Sequence, residues 1–174
     1  QIWVNLPSSH KMMEPRYQEV PSTKSPIVEQ DGVWARVIAG ECMGTTSSID
    51  TKIPITLIHV KMKPESRLVQ QLQADLNGMI YVFGGGINLE NETRVKKSPI
   101  AFGIGAKQGI QDGELALLSE GEEIVIKSQE GAEFLIFAGP ELNEPIERYG
   151  PFVMNTKEEI HQAFSDYQNG TFVN

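Results

Sequence analysis

The stretch Glu133-Phe134-Leu135-Ile136-Phe137-Ala138 is apolar at almost every position. A short run of this kind is typical of a strand that is covered on both faces, so it predicts a central strand. Similar runs recur along the chain with turn residues between them. They predict strands at Val33–Ala39, Ile55–Met62, Met79–Phe83, Ile100–Ile104, Glu114–Leu118, Glu123–Lys127 and Glu133–Ala138.

The spacing of these strands, with no long helical pattern between them, predicts an all-β fold with a helix only at its end. It is typical of an antiparallel sandwich, a jelly roll or a small β-barrel. We expect the barrel to occupy residues 32–148. Gly84-Gly85-Gly86 lacks the Lys and Ser/Thr of a phosphate-binding loop, so we interpret it as a hairpin or a bulge with positive φ.

The N-terminal residues 1–31 predict a strand and a connector from a domain junction. Gln1–Leu6 has the composition of a strand, and the residues after it hold Pro15, Pro21 and Pro26. The chain does not begin with Met, so we expect it to continue a longer protein.

The C-terminal residues 149–174 change period and predict a helix over residues 157–169. Thr156-Lys157-Glu158-Glu159 is a capping box, and apolar residues follow it at helical spacing. We expect the apolar stripe of this helix to pack on the outer wall of the β-domain.

Composition restricts the class of protein. The chain has 174 residues, of which 40% are hydrophobic, and this fits one domain. No apolar run approaches the roughly 18 residues of a membrane span, so no membrane partner is predicted. A net charge of −8 disfavours direct binding to nucleic acid. Cys42 is the single cysteine and cannot form an internal disulfide, which favours an intracellular, soluble protein.

Metal ligands are scarce where the strands are predicted, because no His or Cys occurs between His59 and His161. A metal held by imidazoles inside a barrel needs a His-x-His pair and a further His on a later strand. The predicted loop that should carry this pair, Arg67–Gln73, offers glutamines and aliphatic side chains instead. His10, His59 and His161 each stand alone, so we predict no metal-binding residue.

Catalytic groups are not predicted either. Gly40-Glu41-Cys42-Met43-Gly44 is similar to a nucleophile elbow, but no clear helix follows it, so we interpret it as a glycine-rich turn. No catalytic and no cofactor-binding residue is therefore predicted in this chain. One alternative stays open, namely a small-ligand pocket inside the barrel lined by apolar strand residues and the glutamines of Arg67–Gln73.

Six stretches match a known pattern in the same order along the chain. They are Gln1-Ile2-Trp3-Val4-Asn5-Leu6-Pro7, Glu14-Pro15-Arg16-Tyr17-Gln18, Arg36-Val37-Ile38-Ala39-Gly40, Ile136-Phe137-Ala138-Gly139-Pro140, Leu142-Asn143-Glu144-Pro145 and Tyr149-Gly150-Pro151-Phe152-Val153-Met154-Asn155-Thr156. Together they resemble the pirin family, and the resemblance runs from Gln1 essentially to the end of the chain.

This resemblance implies a protein with two cupin domains, of which the present chain is the C-terminal one. Residues 32–148 are then a cupin-type antiparallel β-barrel, also called a double-stranded β-helix or jelly roll. In the family, three histidines and one glutamate of the N-terminal cupin bind iron. None of their positions exists in this sequence, so we expect iron in the preceding domain and no cofactor in this chain.

The resemblance also implies partners and a function. We expect the N-terminal cupin of the parent protein as a partner, further protein partners, and self-association through the exposed N-terminal strand Ile2–Leu6. The expected role is that of a metal-free structural partner and interaction surface, in a family linked to iron-dependent transcription coregulation. The alternative is a part of a quercetin 2,3-dioxygenase whose iron lies in the missing cupin, this chain alone being no enzyme. A cytoplasmic or nuclear location is implied.

Overall fold

The computed structural model describes residues 2–90, 109–118 and 121–172. By their contacts, the residues form two units, which are described separately. The sheet unit is Val20–Glu141, and the helix unit combines Gln1–Glu19 with Leu142–Asn174. The predicted division at residues 31 and 148 stays a prediction.

The sheet unit consists of antiparallel strands, most of which alternate between buried and more exposed residues. In chain order they are β1 (Ile27–Gln30), β2 (Val33–Ala39), β3 (Glu41–Cys42), β4 (Thr45–Thr46), β5 (Thr56–Met62), β6 (Ser66–Gln71), β7 (Leu76–Glu90), β8 (Gly109–Gln111), β9 (Leu115–Leu117), β10 (Glu123–Ser128) and β11 (Ala132–Pro140).

The main sheet curls because one long strand belongs to both of its halves. The strand order is β1-β2-β5-β11-β7-β10-β6, with β8 and β9 also paired to β7. Residues 76–85 of β7 pair with β11, whereas residues 88–90 pair with β10. This curled antiparallel sheet is the cupin-type architecture that the sequence predicts.

The interior of the curled sheet is filled by every second residue of its strands. Phe134 and Ile136 of β11 are 0% exposed, and so are Ile58, Val60 and Ile80 of the neighbouring strands. Burying one such side chain stabilises the fold by about 1.5–3 kcal/mol. Strand β11 is central, as predicted. However, only one of its faces is buried, because Glu133, Leu135 and Phe137 are half-exposed on the other.

The curl depends on Gly85, which sits at the point where β7 passes from one half of the sheet to the other. A bulge interrupts the β7–β11 pairing here, since Gly84 faces Glu133 but Val82 faces Phe134. Gly85 has a φ of +68°, and a Cβ atom at this position would lie 2.1 Å from the carbonyl oxygen of Gly131. Only glycine fits such an approach, so the predicted positive φ is confirmed at Gly85, whereas the extra residue of the bulge is Phe83, two positions earlier.

The sequence pattern missed several short strands, of which β6 and β1 illustrate the reasons. Strand β6 occupies most of Arg67–Gln73, which the sequence predicts as a loop, because a buried Gln70 stands where an apolar residue is expected in the alternation. Strand β1 lies inside the predicted connector 1–31 and has no buried residue, so it carries no alternation to detect. The predicted strand Ile100–Ile104 lies outside the described residues.

The predicted N-terminal strand is wrong, because residues 2–6 form no strand. A strand needs a neighbour for its backbone groups. Here a side chain takes that role, since Lys11 Nζ donates to Asn5 Oδ1 (2.6 Å) and to the carbonyl oxygen of Leu6 (2.9 Å). Lys11 lies in the short helix α1 (Ser8–Lys11). The expected self-association through Ile2–Leu6 stays a prediction.

The C-terminal helix α2 (Lys157–Asn169) spans the predicted residues. Thr156 and Glu159 form the capping box, and Gly170 ends the helix with a φ of +71°. The sequence predicts that the apolar stripe packs on the wall of the β-domain. The partner found is a hairpin of β12 (Glu147–Tyr149) and β13 (Phe152–Met154), which closes a small core with the helix residues Ile160 and Ala163.

We predict that Gly85→Ala destabilises the protein far more than Gly44→Ala does. Both glycines have positive φ, +68° and +74°, but a Cβ at position 44 meets no atom within 4 Å. Gly44→Ala should therefore cost only the backbone strain, about 1 kcal/mol, whereas Gly85→Ala should cost more than about 2 kcal/mol. Urea unfolding of both variants measures the difference. Equal decreases in the free energy of unfolding would show that the close approach of position 85 to Gly131 does not contribute to stability.

Candidate functional site

A cavity of about 630 Å³ opens in the sheet unit beside the β3–β4 hairpin. Its walls come from this hairpin, from the loop that follows it and from β6. The apolar part of the wall includes Met43, Ile49, Val69, Leu72 and Leu76. Its volume falls in the range of about 300–1,000 Å³ that is typical of small-molecule sites. This cavity is a candidate for the small-ligand pocket that the sequence analysis gives as an alternative.

Gln70 is a buried polar residue in the wall of this cavity. It is 4% exposed, and its Nε2 donates to the carbonyl oxygens of Glu41 (2.9 Å) and Gln71 (2.7 Å). These two bonds fix the orientation of the amide, because its nitrogen must face both carbonyls. Gln70 Oε1 is buried and accepts no hydrogen bond within the described part of the chain. An unmet buried acceptor of this kind costs about 1–3 kcal/mol.

Cys42 also lies in the cavity wall, and its surroundings make it a poor nucleophile. Burial, and secondarily the charge of Glu41, raise the pKa of the thiol to about 11. The thiolate is therefore scarce at neutral pH. Met43 and Gly44 both have positive φ and connect β3 to β4 as a two-residue hairpin turn. The predicted glycine-rich turn is confirmed, and no strand–turn–helix elbow exists here.

The groups around the cavity do not fit iron. The segment that would carry a His-x-His pair contributes Gln70 and Gln71, whose amides are poor ligands for iron. Within residues 2–90, 109–118 and 121–172, no group of three or more His, Cys, Asp and Glu side chains comes together. The predicted absence of a metal site stays a prediction that metal analysis must test.

A second feature of the sheet unit is an aromatic surface on the face opposite the core. We call it the aromatic face and define it by side chains from four adjacent strands and β9, all of which point away from the buried core. Its members are Trp34 and Arg36 of β2, His59 and Lys61 of β5, Glu133 and Leu135 of β11, Met79, Tyr81 and Phe83 of β7, and Leu115 of β9.

The rings of the aromatic face lie side by side across three strands. The ring centroids of Trp34 and His59 are 5.3 Å apart, and those of His59 and Phe83 are 5.6 Å apart. Tyr81 stacks beside Phe83 at 6.2 Å. The guanidinium carbon of Arg36 lies 5.6 Å from the centre of the Trp34 ring, within the range of a cation–π contact. These contacts order large apolar side chains on an outer surface.

A small polar cluster occupies the middle of this aromatic surface. Glu133 Oε1 lies 3.0 Å from Lys61 Nζ and 2.7 Å from His59 Nε2. The hydrogen bond from Lys61, followed by that from His59, lowers the pKa of Glu133 below its usual value, although partial burial opposes this. His59 is therefore a hydrogen-bonded residue on the outer surface of the sheet.

The other two histidines, His10 and His161, lie in the helix unit. His10 is in α1, where its Nδ1 lies 2.9 Å from Ser9 Oγ. His161 is exposed on α2. No catalytic residue was predicted from the sequence. The aromatic face was missed, although a signal existed, because Met79, Tyr81 and Phe83 are apolar at alternate positions of a strand whose other positions are apolar as well.

No helix in the described part of the chain is both long and apolar enough to cross a membrane.

Comparison with known proteins gives consistent matches. A family model described as the pirin C-terminal cupin domain matches residues 57–173. Pirin from Homo sapiens is 35% identical over 171 residues, which cover 97% of this chain and 55% of that protein. A pirin-like protein from Solanum lycopersicum is 37% identical over 172 residues, covering 98% of this chain and 55% of that protein. The chain thus spans about half the length of these relatives.

A solved structure supports the same match. The crystal structure of a quercetin 2,3-dioxygenase from Acinetobacter baumannii is similar to this chain with a TM-score of 0.80 at 31% identity. The similarity covers 98% of this chain and 55% of that one. The resemblance inferred from the sequence motifs is confirmed by these matches.

We predict that Glu133→Gln destabilises the protein at pH 7 but not at low pH. Because the pKa of Glu133 is lowered in the folded state, its ionised form stabilises the protein above the unfolded pKa of about 4.3. This stabilisation disappears as the pH falls through the folded pKa. The cluster is partly exposed to solvent, so the loss at pH 7 should be about 0.5–1 kcal/mol.

Urea unfolding at pH 7 and at pH 3 measures this change. Glu130→Gln, the same substitution at an exposed loop residue, serves as the control. A difference between Glu133→Gln and the wild type that is as large at pH 3 as at pH 7 would contradict the assignment.

Proposed function

Because this chain belongs to the pirin family and corresponds to its C-terminal cupin domain, we propose that it is the metal-free half of a two-cupin protein. In this role it supports an N-terminal cupin and presents a docking surface to it. The observation that carries the proposal is the aromatic face, an ordered apolar surface on the outside of the curled sheet.

The composition of the aromatic face supports docking. Met79, Tyr81, Phe83 and Leu115 are each 37–38% exposed, although they are large and apolar. Scattered single apolar residues are normal on protein surfaces, whereas a contiguous group marks an interaction site. Aromatic residues, Met and Arg are also the types that are enriched in the cores of protein interfaces.

Arg36 indicates what the partner should offer. Its Nε is buried and donates no hydrogen bond within the described residues, while its guanidinium group lies over Trp34. Arg36 as a whole is only half-buried, and the positive charge of its guanidinium group favours a carbonyl or carboxylate oxygen on the partner. We therefore infer an occupant with an apolar surface and one such acceptor opposite Arg36.

The lengths of the relatives support an N-terminal cupin as this occupant. The chain covers 55% of Homo sapiens pirin and 55% of the Solanum lycopersicum pirin-like protein. A little under half of each relative thus lies outside the match, which is enough for another domain of similar size. By family resemblance, that domain is also where the iron should be bound, since the donors around Gln70 and Cys42 do not fit this metal.

The activity of the parent protein has two candidate forms. The match to a quercetin 2,3-dioxygenase of Acinetobacter baumannii at 31% identity favours an enzyme in which this domain supports an iron-containing partner. The family resemblance alone suggests a transcription coregulator with a cytoplasmic or nuclear location. In both forms we propose that the present chain contributes no reacting group.

We predict that Tyr81→Glu separates the two cupins of the parent protein. A carboxylate in the middle of the aromatic face would be buried in the proposed interface without a partner, which is unfavourable. The parent protein should then unfold thermally in two transitions, or with a lower Tm, where the wild type unfolds in one. Tyr17→Glu, at a residue that is 88% exposed in the helix unit, is the matched control. Identical curves for both variants would refute the docking surface.

We predict that the 174-residue chain purified alone retains less than stoichiometric iron and has no flavonol dioxygenase activity. The parent protein should bind about one iron per chain. Metal analysis and an assay of oxygen consumption with quercetin, carried out on both proteins, test this expectation. Activity in the parent only supports the enzyme, and inactivity in both with iron in the parent favours the coregulator. One tightly held iron in the short chain would overturn the proposal.

A further inference from the structure

We propose that the carboxylate of Glu144 binds the segment that follows the proposed N-terminal cupin, so that residues 5–11 form a fixed junction instead of a loose linker. We call this contact the Glu144 latch. It lies within the helix unit and involves no residue of the aromatic face. Its role between two domains rests on the proposed function, because only a two-cupin protein has a domain in front of this segment.

Three hydrogen-bond donors converge on the carboxylate of Glu144. The backbone N–H of Ser8 donates to Oε2 (2.7 Å), and the hydroxyl group of Ser8 donates to Oε1 (3.0 Å). Asn155 Nδ2 also donates to Oε2 (2.9 Å). Hydrogen bonds that a carboxylate accepts are about twice as strong as those between neutral groups. One side chain thus connects the N-terminal segment to the residue that precedes the N-cap of α2.

The short helix α1 has no side-chain cap of its own. Pro7 stands at its N-cap position and makes no side-chain hydrogen bond to the helix. The first N–H groups of a helix need acceptors from elsewhere, and Glu144 supplies one for Ser8. At the other end of the turn, Lys11 Nζ donates back to Asn5 Oδ1. The turn is therefore closed by its own lysine and attached to the rest of the helix unit through Glu144.

Apolar packing does little to hold residues 2–12 in place. The large apolar side chains of Ile2, Trp3, Val4 and Met12 are 51–72% exposed. The buried core of the helix unit comes from the β12–β13 hairpin and α2, and no described residue of this segment belongs to it. The attachment of the segment therefore depends mainly on the polar contacts of Glu144.

The groups around Glu144 favour its ionised form. The two hydrogen bonds from Ser8, above all the one from its backbone, lower the pKa of Glu144 below the ordinary value, although desolvation opposes this. The amide of Asn155 and the charge of Lys11 act in the same direction. Glu159 is the second carboxylate of this network and accepts the backbone N–H of Asn155 (2.9 Å). The latch should therefore weaken only as the pH falls through the lowered pKa of Glu144.

Limited proteolysis of the 174-residue chain measures whether the latch holds. Trypsin should cleave after Lys11 only when the turn opens, because the Lys11 side chain is bonded to Asn5 in the closed form. When opening is fast, the cleavage rate follows the population of the open form. We expect Glu144→Ala to raise the rate after Lys11 about tenfold, the factor that corresponds to one typical hydrogen bond. Cleavage after Lys24, in an exposed turn of the sheet unit, should not change.

A control variant and a second measurement assign the effect to the carboxylate. Glu141→Ala, at an exposed residue just before Glu144 in the chain, should be cleaved like the wild type. If Glu144→Ala does not fold, an NMR pH titration of the wild type decides. The amide signal of Ser8 and the side-chain NH₂ signals of Asn155 should follow one titration with a midpoint below about 4.3, the ordinary value for Glu. Equal cleavage after Lys11 in wild type and Glu144→Ala, or no such titration at Ser8, would overturn the latch.

The role of the latch at the junction is tested in the parent protein that carries Tyr81→Glu, in which the proposed docking is removed. The latch alone then restricts the two cupins, so adding Glu144→Ala should increase the radius of gyration measured by small-angle X-ray scattering. An unchanged radius would overturn the junction role. A Tyr81→Glu parent that keeps the wild-type radius would instead refute the docking surface, and cleavage after Lys11 would still test the latch.

Discussion

The close approach of Gly85 to the carbonyl oxygen of Gly131 sets the geometry of the sheet unit. At this point β7 leaves its partner β11 and continues in the other half of the sheet, beside β10. A side chain of any size at position 85 would push the two backbones apart, because the added Cβ would lie only 2.1 Å from the oxygen. The curl, and with it the enclosed core, therefore depends on a contact between main-chain atoms.

The curl gives each strand of β2, β5, β11 and the first half of β7 one face inside and one face outside. The inner face is filled with small and medium aliphatic residues such as Val37, Ile58 and Ile136, all fully buried. The outer face carries large aromatic side chains, including Trp34 and Tyr81. An apolar pattern on both faces costs solubility in an isolated domain, so it favours a role in which the outer face is covered by a partner.

The side chains in the cavity wall differ from those of a metal-binding barrel. Where imidazoles would bind a metal, the strand β6 carries the amide of Gln70, and a buried neutral thiol lies near it on β3. Amides donate and accept hydrogen bonds but bind iron poorly. The aromatic face lies on the outside of the sheet, whereas Gln70 and Cys42 lie in the cavity wall.

The sequence by itself determined the all-β class, the central position of Glu133–Ala138, the C-terminal helix with its capping box, and the family, because local periodicity and ordered motifs encode these features directly. Only the tertiary structure decided that Gln70 is a buried strand residue, that Ile2–Leu6 is not a strand, and that the outer side chains of four strands form one aromatic surface. A buried polar residue such as Gln70 interrupts the apolar alternation by which a strand is detected. The conformation of an edge segment such as Ile2–Leu6 depends on whether a neighbouring strand is present. The aromatic face is formed by residues that lie far apart in the chain. A pattern read along one strand carries none of this information, since each feature arises from contacts between strands.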